Sequence, residues 1–144
     1  MASTKSFFQS VKAAMVAEST LSVFEQRMQC SQAGYFNPEK VRQPNLVISP
    51  AQEAPRPAGR RLLNARDDLV TVTFYAYAEG FGKEEGLFTI LDIATVLKCY
   101  LEGNQFAGTT VPRWVSTIYP TFFARNFEKL SEVRITMEYG LRGA

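Results

Sequence analysis

The 144-residue sequence contains no histidine. Histidine is the one side chain whose ordinary pKa lies near neutrality, so Ser-His-Asp and Cys-His catalysis, histidine-bearing zinc sites and the usual neutral-pH general base are excluded. Cysteine is nearly as scarce. Cys30 and Cys99 are the only two and form no CxxC pair, so neither a disulfide framework nor a thiolate metal site is indicated, and Cys99 reads as a small apolar side chain packed within a helix. Excess charge is lacking as well: 16 Lys and Arg against 14 Asp and Glu leave +2, too little to predict nucleic-acid or acidic-membrane binding over the whole surface. No apolar run approaches the roughly 18 residues of a membrane span. The opening MASTKSFFQSVKAAMVAES lacks the uninterrupted apolar core of a signal peptide, which makes it folded structure in a soluble protein of a reducing cytoplasm.

What is present is an ordinary globular composition, 46% hydrophobic and 21% charged, in a chain long enough for one domain with a self-sufficient core. Ser3 or Thr4 caps a first helix in which Phe7, Phe8, Val11, Ala14 and Met15 recur at helical spacing. Ser22 and Glu25 have capping-box spacing, which predicts a second short helix over 23–28, and 30–43 reads as loop. Leu46 to Ile48, between Pro44 and Pro50, reads as a short edge strand. Residues 50–68 then form a long Pro/Arg/Gly connector, predicted to project as an arm or long hairpin.

From Leu69 the pattern is strictly alternating. Val70, Val72, Phe74 and Ala76 share one face, and Thr71, Thr73, Tyr75 and Tyr77 share the other, which is semi-apolar and expects a cover of its own. After Gly80, Gly82 and Gly86, the residues Leu87, Ile90, Leu91, Ala94, Leu97 and Leu101 mark a helix packed on a sheet, with Asp92, Lys98 and Glu102 on its exposed strip and Gly103 as its stop. Residues 103–127 mix Gly, Pro and six aromatics; Trp114, Ile118 and Tyr119 fit a short strand or turn ended by Pro120, and Phe122, Phe123 and Phe127 fit core or interface anchors. Val133, Ile135, Met137 and Tyr139 alternate in a final strand, with fraying expected from Gly140. The fold class expected is α/β in the α+β sense: a small mixed or antiparallel sheet packed against an N-terminal and a central helix.

GFGKEEG lacks both the GxxxxGK[ST] and the GxGxxG spacing, so it reads as a structural turn, not a nucleotide loop. Asp67-Asp68 and Glu84-Glu85 read as solvated loop ends that can register a partner's cations, since exposed ion pairs contribute only about 0 to 1 kcal/mol. Arg56, Arg60, Arg61 and Arg66 cluster without a stacking aromatic between them. A protein-facing or pore-facing arm therefore fits them better than a nucleic-acid groove, with Leu62 and Leu63 as an apolar anchor and a merely solvated loop as the plain alternative.

The order of elements, comprising the helix around Phe7 to Met15, NLVISP, LVTVTFYAY, LFTILDIATVLKCYL and VRITMEYGL, resembles the tail terminator, or tail completion, proteins of long-tailed bacteriophages. The resemblance covers most of the chain as a pattern and not as a diagnostic motif. It implies a single-domain structural subunit, not an enzyme, that needs no cofactor or metal. Six copies would form a ring at the head-proximal end of the virion tail, assembled in the host cytoplasm. The implied partners are the protein itself, the tail tube protein and a head-tail connector or neck protein, with DNA passing through the lumen without sequence-specific binding and no membrane contact. On that footing Arg56, Arg60, Arg61, Leu62, Arg66, Glu84, Glu85, Arg113 and Trp114 are candidate interface residues. Another neck or connector ring protein, a small nucleic-acid-binding module and a minor enzyme using acids, Tyr and Arg are the alternatives.

Overall fold

A capping box opens the first helix. In the computed structural model, which describes residues 3–32, 37–55, 67–121, 127 and 129–142, Ser3 Oγ accepts from the Ser6 amide at 3.1 Å and Ser6 Oγ accepts from the Ser3 amide at 3.0 Å. Helix α1 (Thr4–Ala17) follows, burying Phe7, Val11 and Met15 while Phe8 is partly covered and Ala14 is exposed. Glu18 ends it and starts a 3-10 turn, Ser19–Phe24, by accepting from the Thr20 amide. The helix expected over 23–28 does not form. Glu25 and Gln26 take left-handed backbone angles, φ 48° and 65°, and the Glu25 carboxylate turns to Arg27 at 2.8 Å, so the chain leaves the turn extended. It becomes strand β1 (Met28–Cys30), and the loop expected over 30–43 gives way to this strand end and a second 3-10 turn at Pro38–Lys40.

The alternating stretch pairs with far more of the chain than expected. Strand β2 (Asn45–Pro55) and strand β3 (Asp67–Glu79) form an antiparallel ladder from Asn45↔Tyr77 to Pro55↔Asp68, with a register shift between Pro50 and Gln52. Residues 50–55 and 67–68 are paired strand, in line with the long hairpin, one of the two expected forms, and the remainder of that stretch, 56–66, lies outside the described residues. Leu46 to Ile48 are not at the edge either, because β1 pairs with them in parallel. That ladder stops at Cys30↔Ile48, and among the described residues the strand pairing of β2 beyond it is with β3 alone, an arrangement in which proline is tolerated.

Gly80 (φ +99°) and Gly82 (φ +85°) turn β3 into helix α2 (Glu84–Gly103). Gly86 sits against that turn: a Cβ there would lie 2.0 Å from the Gly80 carbonyl oxygen. GFGKEEG is a structural turn, as its spacing predicts. Glu84 and Glu85 are not loop residues but the first turn of α2, where carboxylates complement the helix dipole. The helix ends through Asn104, whose side chain donates to the Tyr100 carbonyl at 2.8 Å.

Strand β4 (Arg113–Ile118) and strand β5 (Leu130–Arg142) complete a five-stranded mixed sheet in the order β1-β2-β3-β5-β4. The last strand is laddered to its end, Arg142 pairing with Asp67 and Gly140 exchanging hydrogen bonds with Thr110, so fraying does not begin at Gly140. Both helices cover one face, where Val72, Phe74, Ala76, Val133, Ile135, Met137 and Tyr139 are fully buried. On the other face Val47, Tyr77 and Leu130 form a second cluster joined by Tyr75 and Phe127. The fold class is α+β, as expected.

Candidate assembly surface

Helix α2 is apolar around more of its circumference than one sheet can cover. Gly86, Ile90, Ile93, Ala94, Leu97, Tyr100 and Leu101 are buried, whereas Leu87, Phe88, Leu91 and Val96 stay exposed, Phe88 at 54%. Leu87 and Leu91, expected on the packed face, are therefore flank residues. Asp92 and Glu102 are exposed as expected, and Lys98 links that strip to the sheet edge: its Nζ lies 4.2 Å from the centre of the Trp114 ring and 3.1 Å from Glu102. A cation over an aromatic face is attracted by the ring quadrupole, and this fixes Trp114 against the helix.

Strand β4 is an edge, bonded to β5 alone. Its register sets Trp114 opposite Met137 and Thr117 opposite Ile135, on the helix side, where Trp114 Nε1 donates to Thr117 Oγ1 at 3.0 Å. Arg113, Ser116 and Ile118 oppose Glu138, Thr136 and Arg134 on the other side, and a bulge at Val115 interrupts the ladder. Bulges and solvent-exposed edges both expose backbone that another chain can pair with. Of the ten large hydrophobic side chains exposed among the described residues, nine belong to α2 or to the stretch Val111–Tyr119, with Val23 the exception. An exposed apolar concentration of this kind makes this part of the molecule the candidate contact surface.

Where α2 begins, a groove of ≈ 360 Å³ runs between it and the end of β4, walled by Phe81, Lys83, Glu84, Leu87, Tyr119 and Pro120. A second hollow of ≈ 550 Å³ adjoins it, sharing Phe81 and Lys83 and carrying Glu39, Glu79 and Lys129. Ser131 and Glu132 also line the first groove. Glu132 accepts from Arg134 at 2.5 Å, and Arg134 stacks over Tyr75 at 5.4 Å, which occupies both charges locally. Beside them Tyr77 meets Phe127 edge-on at 5.9 Å, and burial, then the neighbouring Glu132, pushes its hydroxyl pKa well above the ordinary range.

The residues expected to form an interface separate into three groups. Glu84 and Trp114 both lie on the seam between α2 and β4, Glu84 at the groove and Trp114 under Lys98. Glu85 is exposed on the same first turn. Arg113 points to the opposite side and is committed to Glu138 by two bonds of 3.0 and 3.1 Å, which hold its pKa up. Arg56, Arg60, Arg61, Leu62 and Arg66 lie outside the described residues.

Sequence reasoning missed Leu87, Phe88, Leu91 and Val96 as surface residues, and it missed Val115 and Tyr119 as members of the same seam. The excess width of the helix's apolar arc was the available signal. Cys99 also departs from expectation: it is exposed, as is Cys30, whose thiol donates weakly to the Phe8 carbonyl at 3.8 Å and whose pKa is raised by the partial desolvation of its sulfur. Comparison with protein-family models and with curated proteins finds no match to this chain.

Proposed function

We propose that this chain is a structural subunit, not an enzyme, that closes into a hexameric ring and serves as a tail terminator of a long-tailed bacteriophage. In this role it caps the tail tube, stops its polymerisation and offers its opposite face to a head-tail connector. The order of helix, long strand pair, central helix and terminal strand supports the reading. The observation that carries it is that nine of the ten exposed large hydrophobics among the described residues belong to α2 or to the stretch Val111–Tyr119 around the β4 edge. A surface of that kind on a small domain is explained by association, and ring closure leaves no free copy of it to drive open polymerisation. Its virion location, its tail-tube and connector partners and the passage of DNA through the lumen follow from the same reading.

The test is native mass across a concentration series, with negative-stain images of any large species. A closed ring of six 16.2 kDa subunits, about 97 kDa, is the expected result, and adding purified tail tubes should cap one end of each tube. A chain that stays monomeric at every concentration and leaves tail tubes uncapped would overturn the reading.

A further inference from the structure

The two ends of the β2–β3 ladder differ in charge. The connection 56–66 holds four arginines and no acid, which leaves 12 basic against 14 acidic residues in the rest of the chain. At the opposite end stand Glu39, Glu79, Glu84 and Glu85, none with an ion-pair partner among the described residues, against Lys83 and Lys129. Glu84 lines the apolar groove of Phe81, Leu87 and Tyr119, Glu85 follows it on the same helical turn, and Glu39 and Glu79 line the adjoining hollow.

Chain length decides whether one end can meet the other within a subunit. Both ends of the connection leave the sheet together, since Pro55 pairs with Asp68. Eleven residues that must double back reach at most about 20 Å. The 13 residues of β3 span about 40 Å, and the groove begins beyond the far end of that strand, at Phe81. The connection therefore falls short of its own groove by about half the strand's length.

We propose that the connection 56–66 of one copy docks in the α2–β4 groove of a second copy. Its arginines pair with Glu79, Glu84 and Glu85, and Leu62 with Leu63 enters the channel beside Leu87 and Tyr119. Arginine forks suit carboxylates bidentately, and a central apolar anchor within a charged rim is the usual anatomy of a specific contact. The contact joins unlike ends, so repeated head to tail it is heterologous and passes from subunit to subunit until the rotation closes. This deepens the ring reading and rests on it only for closure.

The experiment uses full-length chains, half of them labelled with ¹⁵N, carrying a photoreactive benzoylphenylalanine in place of Leu62. After mixing and irradiation, mixed-isotope crosslinks joining 56–66 to 81–90 or 119–120 are expected. Crosslinks to other surfaces, within one chain only, or none, would overturn the docking; if the native mass still shows rings, the ring reading survives that failure. The expected crosslinks in a species that is not a closed ring would leave the docking standing and remove the ring instead. As a second arm, Arg60→Glu with Arg61→Glu, and separately Glu84→Arg with Glu85→Arg, should each raise the concentration for half-assembly by about tenfold or more, and all four changes in one chain should restore it to within about threefold. A four-fold variant at least as impaired as either pair would count against the docking.

Discussion

The β3–β5 ladder and the α2–β4 seam use the same residue types and meet opposite environments. Phe74, Ile135 and Met137 are fully buried because two helices lie over them, while Phe88 and Leu91 remain exposed because the sheet ends at β4 and the helix overhangs its edge, and Ile118 because it faces the other side of that edge strand. Periodicity reports which side chains share a face, and only the neighbouring elements decide whether that face is covered. One region holds the monomer together and the other is free to join it to something else. Substitutions that separate folding from association therefore test the distinction directly.

The largest effect belongs to the ladder. Val72→Asp or Phe74→Asp buries a carboxylate with no partner and should cost about 4 kcal/mol or more, enough to abolish the native circular-dichroism signal of a domain of ordinary stability. A soluble variant with a native-like spectrum and thermal transition would mean that the helix-side face of β3 is not the core.

Much of this division was legible in advance, and the failures have physical causes. β3 and β5 were readable because Val70–Tyr77 and Val133–Tyr139 alternate without a break. β1 was not, since its three residues are too few for a period and its identity comes from pairing with Leu46 to Ile48. Pro50 and Pro55 made the outer half of β2 look like loop, yet proline costs little beyond the end of the β1 ladder, where among the described residues only β3 pairs with the strand. Arg113 and Trp114 are adjacent in sequence and expected to act together, but strand geometry sends neighbouring side chains to opposite faces, so one meets Glu138 and the other Lys98. The breadth of α2's apolar arc was visible from sequence; that it overhangs an edge was not.

A smaller loss is expected at the joint between the two regions. Gly86→Ala places a methyl group 2.0 Å from the Gly80 carbonyl oxygen, which belongs to the backbone turn that ties β3 to α2. Relief requires the helix to shift away from the turn, at about 2 kcal/mol. Gly103→Ala is its control, because nothing lies within 4 Å of a Cβ there. Urea midpoints of the two variants should differ clearly; equal midpoints would show that the turn yields without cost.

Next comes the buried hydroxyl of Tyr139, which has no hydrogen-bond partner among the described residues and lies in a ring cluster with Phe7 and Phe106. Tyr139→Phe should leave stability unchanged or raise it by up to about 1 kcal/mol at neutral pH. Burial, and then Tyr100, pushes the Tyr139 pKa above its ordinary value, so the folded chain keeps a proton that the unfolded chain releases. This contribution is complete below pH about 10 and is lost as pH rises beyond it. The wild type should lose urea resistance on that side, Tyr139→Phe should lose less, and Tyr77 should account for part of what remains. Identical pH profiles for the two chains would remove Tyr139 as a contributor.

The smallest effect on folding should accompany the largest effect on assembly. Leu87→Asp and Ile118→Asp add a charge to side chains that are about half exposed, 49% and 50%, so the carboxylate remains solvated in the monomer. Their urea midpoints should correspond to changes within about 0.5 kcal/mol of wild type. In an assembly that buries the seam, the same carboxylate is desolvated without a partner at every interface, and the cost recurs once per subunit. Both variants should thus be folded monomers at concentrations where the wild type assembles. If they assemble as the wild type does, the seam is not the contact surface, however apolar it is. If they fail to fold, the overhang is smaller than the exposed flank of α2 suggests and the two regions form a single core.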